Sequence, residues 1–156
     1  MGAQAEALAQ QFEEANSNLL ALVERLSDDQ WSLTCPEGWT VAATAMHVAT
    51  SHEGVAGLAV GVGTGAQLPP LTMEMLNEGN AQAAAANEHV SKQQVLETLR
   101  GGGDKAAAMI RSLSDEQLAN SATVVGNQMS AKDVIAGIVI GHPIAHLQSI
   151  KTAVGG

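Results

Sequence analysis

Residues 141–146 read GHPIAH and place two histidines, His142 and His146, four positions apart near the end of the chain. In an α-helix, side chains at positions i and i+4 lie on the same face, so both imidazoles can reach one ion. The apolar residues upstream on the same stripe are Val134, Ile135 and Ile138. Because an apolar stripe turns a helix face toward the core, the spacing predicts a pair of imidazoles that point inward.

A third histidine, His47, lies in another apolar, helix-like run over residues 41–60. Helix bundles build metal sites from side chains on facing helices, so this residue can supply a further ligand from across a bundle. The alternative is that these histidines are structural, each buried with its own hydrogen-bond partner. With five histidines in the chain, the spacing alone leaves both interpretations open.

Length and charge narrow the class of protein. A chain of 156 residues is of the size of one domain, and we predict a single domain over 1–156. The net charge of -9 argues against nucleic-acid partners and against an anionic membrane surface. No apolar run approaches the length of a membrane span, and residues 1–26 are amphipathic and acidic, unlike a signal peptide.

The single cysteine, Cys35, cannot form an internal disulfide, which fits a reducing compartment. We therefore predict a cytoplasmic protein without membrane or nucleic-acid partners. No cationic residue flanks Cys35, so a reactive thiol is not expected. The apolar content is high for so small a chain, which favours association as a homodimer.

Helical patterns dominate the chain, and strand-like alternation is scarce. Apolar residues three and four positions apart between Leu8 and Leu26 form the seam of a bundle helix. Ser27, Ser91 and Ser114 each stand three residues before a glutamine and are predicted capping boxes, and Thr40 and Ser130 are predicted N-caps. The sequence therefore predicts an all-α protein, a single four-helix bundle.

A long connection is predicted between the second and third helices. Residues 54–70 are rich in glycine and end in two prolines, a composition typical of a flexible crossover. Residues 71–87 again show a helical pattern, which predicts either a lid or an extension of the third helix. Gly61, Gly63 and Gly65 do not predict a phosphate loop, because no strand precedes them and no glycine-lysine-serine sequence follows.

Two features interrupt the helical patterns. Gly101–Gly103 lie inside the third helix, where each glycine costs about 1 kcal/mol relative to alanine. They can mark a kink or a break, or they can thin the bundle and open space for a ligand beside a metal. Pro143 removes a backbone donor from the last helix and predicts a bend between the two histidines.

The order of these features resembles the DinB superfamily of four-helix proteins. The stretches that carry the resemblance are LSDDQW at 26–31, GWTV at 38–41, MHVA at 46–49, and His142 and His146 followed by LQSI at 147–150. The placement of one histidine on the second helix and two on the fourth is its most specific part.

The resemblance implies a four-helix bundle of DinB type with a long crossover between helices two and three. It also implies a divalent metal held by His47, His142 and His146, and imidazole ligands favour zinc or nickel. Characterised members include mycothiol-dependent maleylpyruvate isomerase and bacillithiol transferases.

A metal-dependent transferase, isomerase or hydrolase is therefore expected, acting on a small molecule, with a low-molecular-weight thiol as a possible cofactor. The sequence identifies neither catalytic residues nor contacts to a thiol. The alternative is a non-catalytic, metal-stabilised binding or interaction protein.

Two further histidines are not predicted to be ligands. His52 and the neighbouring Glu53 follow His47 by five and six positions, which places them off the ligand face, toward solvent or the rim of a pocket. His89 precedes a predicted cap and is expected in a loop.

Overall fold

The computed structural model describes residues 2–156. Its elements in chain order are α1 Ala3–Arg25, α2 Asp28–Trp31, α3 Val41–Thr64, α4 Met73–Ala86, α5 Lys92–Arg111, α6 Asp115–Ala119, β1 Ser121–Val124, β2 Asn127–Ser130, α7 Ala131–Val134, a π-helical turn Ile135–Ile140, and α8 Gly141–Val154. The last three segments form one continuous helix, called the last helix below.

Four long helices, α1, α3, α5 and the last helix, form the bundle predicted from the sequence. Both α1 and α3 pack against α5 and against the last helix, so they lie diagonally across the bundle from each other. The predicted seam of α1 is buried, at Leu8, Phe12, Ala15, Leu19, Leu22 and Leu26. In α3, 13 of 24 residues are buried, so more than one of its faces points into the protein.

Serine and threonine caps start the helices at the predicted places. Ser27, Ser114 and Ser130 form reciprocal capping boxes, and Thr40 accepts a hydrogen bond from the backbone of α3. At Ser91 the hydroxyl accepts from the backbone N–H of Gln94, which is a simple cap rather than the predicted box.

The crossover between α3 and α5 contains a separate helix. Gly65 ends α3 in the left-handed conformation, with φ of 73°, which glycine adopts without steric cost. Residues 66–72 then lead into α4, which packs beside α3. The helical pattern at 71–87 is thus a distinct element of the crossover, not an extension of α5.

A short hairpin, β1–β2, precedes the last helix and was not expected from the sequence. Its strands are antiparallel and pair Ser121 with Ser130 and Val124 with Asn127. Val125 and Gly126 both have positive φ, as the two central residues of a tight hairpin turn require. With only four residues in each strand, the hairpin leaves the all-α class unchanged.

The last helix, Ala131–Val154, does not break at Pro143. A π-helical turn, Ile135–Ile140, lies just upstream and takes up the irregularity that the missing proline donor introduces. Both histidines lie in one helical segment, α8, which continues through Pro143.

By length and mean hydropathy alone, this last helix could also cross a membrane, contrary to the expectation that no run approaches that length. It packs on α1 and α3 along the bundle, and 33% of its most apolar stretch is buried.

Packing explains Gly102 and Gly103 of α5 but not Gly101, and the helix runs through all three unbroken. A Cβ on Gly102 would lie 3.2 Å from the carbonyl oxygen of Ala49, and one on Gly103 would collide with the Asn16 side chain. The prediction that these glycines open space beside a metal is wrong, since α3 and Asn16 fill that space.

Candidate metal centre

A tight turn before α3 positions the residues on one side of the centre. The Cys35 N–H donates to the Trp39 carbonyl at 2.8 Å, and the Gly38 N–H donates to the Cys35 carbonyl at 2.9 Å. Gly38 has φ of 92°, which only glycine adopts readily. This turn carries Glu37 and Trp39 to the start of α3, next to His47.

The structure brings His47, His142 and His146 together, as the sequence predicted. His47 comes from α3 and the other two come from α8. Their candidate ligand atoms all lie within 4.8 Å of one another, and Nε2 of His47 lies 2.8 Å from Nε2 of His142. Each pair of rings meets edge to face, with centroids 4.6 to 5.1 Å apart.

Two neighbours fix the orientation of these rings. His146 Nδ1 lies 2.9 Å from Glu37 Oε1, and because a carboxylate only accepts, this nitrogen carries the proton and Nε2 is left free. The two side chains are 18% and 23% exposed, so the contact is partly shielded from water. Trp39 packs edge-on against His47 and stacks parallel to His146.

Burial keeps two of the imidazoles neutral. Desolvation, with a smaller contribution from neighbouring imidazoles, lowers the pKa of His47 to about 4 and that of His142 to about 3. Both rings are therefore uncharged at pH 7, which is the form that binds a metal.

The donor set fits a divalent transition metal. Three neutral imidazoles are ligands that zinc and nickel accept, and catalytic zinc sites with three protein ligands keep one position open. The carboxylate of Glu37 stands where metal-ligating histidines commonly have a hydrogen-bond acceptor. That these three histidines hold an ion stays a prediction.

His52 is placed differently from the expectation. It is 2% exposed, and its Nε2 lies 2.9 Å from Oδ1 of Asn16, whose amide nitrogen donates to the Leu99 carbonyl. Its ring also packs edge-on against Phe12. The expected position toward solvent or a pocket rim is wrong, whereas Glu53 is exposed as expected and pairs with Lys105.

The remaining candidates lie outside the cluster. Cys35 is buried, and burial raises the pKa of its thiol, so it is protonated at pH 7 and unreactive, as predicted. His89 is exposed in the turn after α4. Sequence reasoning missed Glu37, whose position became evident only from the turn formed around Gly38.

A four-helix bundle with one histidine on its second long helix and two on its fourth defines a class of candidate metalloproteins. A family model described as the DinB superfamily matches residues 11–150, and the chain belongs to that superfamily. No curated protein matches the chain.

Solved structures share the fold. The mycothiol-dependent maleylpyruvate isomerase superposes with a TM-score of 0.74 at 15% identity, and a histidine-to-alanine mutant of it with 0.76 at 13% identity. Both matches cover 94% of this chain, which spans only 60% of the isomerase. YfiT from Bacillus subtilis, described as a probable metal-dependent hydrolase with an unusual four-helix bundle topology, gives 0.72 at 20% identity, covering 97% of this chain and 87% of YfiT.

Proposed function

We propose that this chain is a metal-dependent enzyme that binds zinc or nickel through His47, His142 and His146 and acts on a small molecule. The observation that carries the proposal is the convergence of three imidazoles from two helices, with their ligand atoms within 4.8 Å of one another. The nearest polar partner of His47 Nε2 is His142 Nε2 at 2.8 Å, so without an ion these two rings hydrogen-bond each other, whereas a shared ion would take both nitrogens as ligands.

The reaction is of the transferase, isomerase or hydrolase kind, with a low-molecular-weight thiol as a cofactor. An ion at this site would supply Lewis acidity to an oxygen or sulfur nucleophile. The chain's own part is to keep His47 and His142 neutral by burial and to hold His146 through Glu37. The thiol has support only from the description of one fold neighbour as mycothiol-dependent.

The metal is tested by elemental analysis of protein purified without a histidine tag. Wild type should carry about one zinc or nickel ion per chain, and His142→Ala should carry almost none, because two imidazoles bind far more weakly than three. His89→Ala is the matched control, since that histidine is exposed and is not one of the three converging imidazoles. Equal and low metal content in wild type and His142→Ala would contradict the proposal.

The activity is tested by screening metal-reconstituted protein for thiol conjugation to electrophiles, for isomerisation and for ester or amide hydrolysis. Activity should require the ion and disappear in His47→Ala. Metal bound at full stoichiometry without turnover of any substrate class would favour the alternative.

That alternative is a metal-stabilised binding or interaction protein, and one observation favours it. The crevice beside His142, lined by Ser51, His52 and Val55 among others, has no room for a water molecule. On that side the cluster is closed by side chains, as in a structural site. A small molecule that reaches the ion in a complex structure would decide for the enzyme.

A further inference from the structure

A cavity of about 630 Å³ lies between α3, the crossover residues that follow it, α4 and the tip of the β1–β2 hairpin. We call it the crossover cavity, and its walls include Gly54, Leu68, Leu76, Val125 and Ile138. Sites for small molecules commonly have volumes of about 300–1,000 Å³. The crossover cavity is therefore large enough to enclose most of a small organic molecule.

The walls of this cavity are apolar. Ser51 and Gln67 supply its polar side chains, and none of the described residues that line it is charged. A charged ligand would lose its hydration here without gaining a partner. The net charge of -9 further disfavours an anion. The crossover cavity thus favours an uncharged, apolar occupant.

Gly54 is an exposed residue of α3 that borders this cavity. Gly54, Gly57 and Gly61 follow one another three and four positions apart, so they share a face of α3. A Cβ on Gly61 would lie 2.9 Å from the Leu68 side chain, which is a packing reason for glycine, but one on Gly54 would meet nothing within 4 Å. Glycine weakens a helix relative to alanine, and packing does not explain it at position 54.

The crossover cavity adjoins the three-histidine cluster. Ser51, Val55 and Ile138 line both this cavity and the narrow crevice that ends at His142. One layer of side chains therefore separates an occupant of the cavity from an imidazole of the cluster.

We propose that the crossover cavity is a binding site for an uncharged, predominantly apolar small molecule. This binding depends only on the cavity and not on the metal-dependent function proposed above.

The test uses two fluorescent probes that share an anilinonaphthalene framework. N-phenyl-1-naphthylamine is neutral, and 1-anilinonaphthalene-8-sulfonate carries an added sulfonate. The neutral probe should bind one to one, and the sulfonate should bind at least about tenfold more weakly. Equal or tighter binding of the sulfonate would overturn the proposed ligand class.

Gly54→Leu places a side chain in the open space and should weaken binding of the neutral probe at least about tenfold. Because leucine is a better helix former than glycine, the variant should melt no lower than wild type. Gly101→Leu is the matched control, a helical glycine in α5 that also has open space around it. Unchanged probe affinity in Gly54→Leu would overturn the proposal.

The particle mass in solution is measured on the same samples. If the probe does not bind and Gly54→Leu converts a dimer into a monomer, a second copy of the chain occupies this surface and the proposal fails.

Metal content of these samples separates the two proposals. If the protein takes up no metal but binds the probe, and Gly54→Leu weakens that binding, the proposed binding site stands and the metal-dependent function is refuted. If the protein is fully loaded with metal but does not bind the probe, ligand binding in the crossover cavity is refuted and the metal site stands.

Discussion

Two imidazoles of α3, the half-buried His47 and the buried His52, lie five residues apart and have different partners. His52 meets a neutral amide, Asn16, which in turn donates to the Leu99 carbonyl. His47 meets the Nε2 of another imidazole, His142, at 2.8 Å. A histidine whose bonds are completed by an amide is structural, whereas imidazoles that converge on one another are candidate ligands.

The largest expected effect separates the two histidines by their response to a chelator. If free metal stands about 1,000-fold above its Kd, its removal should cost wild type about 4 kcal/mol of stability, seen as a lower Tm. His47→Ala should lose most of this sensitivity, because His142 and His146 are close in sequence and can hold an ion in the unfolded chain too.

His52→Gln is the control for that measurement and should keep the full chelator shift. If His47→Ala also keeps the full shift, the third ligand lies elsewhere and the contrast between the two histidines fails.

The second prediction concerns the amide that satisfies His52. Asn16→Ala would leave the His52 N–H without a partner, at about 1–3 kcal/mol for a buried group, whereas the Leu99 carbonyl keeps its main-chain bond within α5. Denaturant unfolding should therefore show a loss of about 1–3 kcal/mol, with no change in zinc affinity. Asn18→Ala, an exposed position of the same helix, should have little effect. A loss of metal in Asn16→Ala would show that the Asn16–His52 contact and the three-histidine cluster are coupled.

The third prediction is the pH dependence of the chelated protein. Burial lowers the pKa of His52 to about 4, below its ordinary value of 6.5, so the unfolded chain binds more protons between those values. Stability contributed by the neutral ring is then present above pH 6.5 and falls as the pH drops toward 4. From pH 7 to pH 5 the loss should be about 2 kcal/mol for His52.

His52→Gln keeps an amide N–H for Asn16 but cannot titrate. From pH 7 to pH 5 its stability should therefore fall by about 2 kcal/mol less than that of wild type. Parallel stability curves for the two proteins, measured by denaturant unfolding, would contradict the assigned burial of a neutral imidazole.

The smallest effect is expected at Glu37. Glu37→Gln keeps the size of the side chain but removes the charge that faces His146 Nδ1, and zinc affinity should fall about tenfold. A chromophoric chelator in competition measures this change. Glu53→Gln, which removes a carboxylate from an exposed pair with Lys105, should leave the affinity unchanged. Equal affinities in Glu37→Gln and wild type would exclude a positioning role.

The bundle helices and the His142–His146 pair were predictable because both depend on local spacing, whereas the place of His47 beside them was expected from the family resemblance. Apolar seams such as Leu8 to Leu26 identify a helix, and four residues of separation bring His142 and His146 to one face. The diagonal placement of α1 and α3 is not encoded in any local pattern. His52 was misplaced for that reason, since α3 has a second interior face that points across the bundle toward Asn16.

Other features depend on contacts between segments distant in sequence. Gly103 looked like an opening beside a metal, but the Asn16 side chain of α1 occupies that place. The β1–β2 hairpin was missed because strands of four residues give little alternation. The single-domain assignment and the homodimer stay predictions.

The central claim is that His47, His142 and His146 bind one ion together. X-ray absorption at the metal edge of zinc-loaded protein tests it most directly, because it counts the ligands. We predict three imidazole nitrogens at about 2.0–2.1 Å, reduced to two in His47→Ala and unchanged in His52→Gln. A sulfur ligand at about 2.3 Å, or an unchanged imidazole count in His47→Ala, would contradict the account.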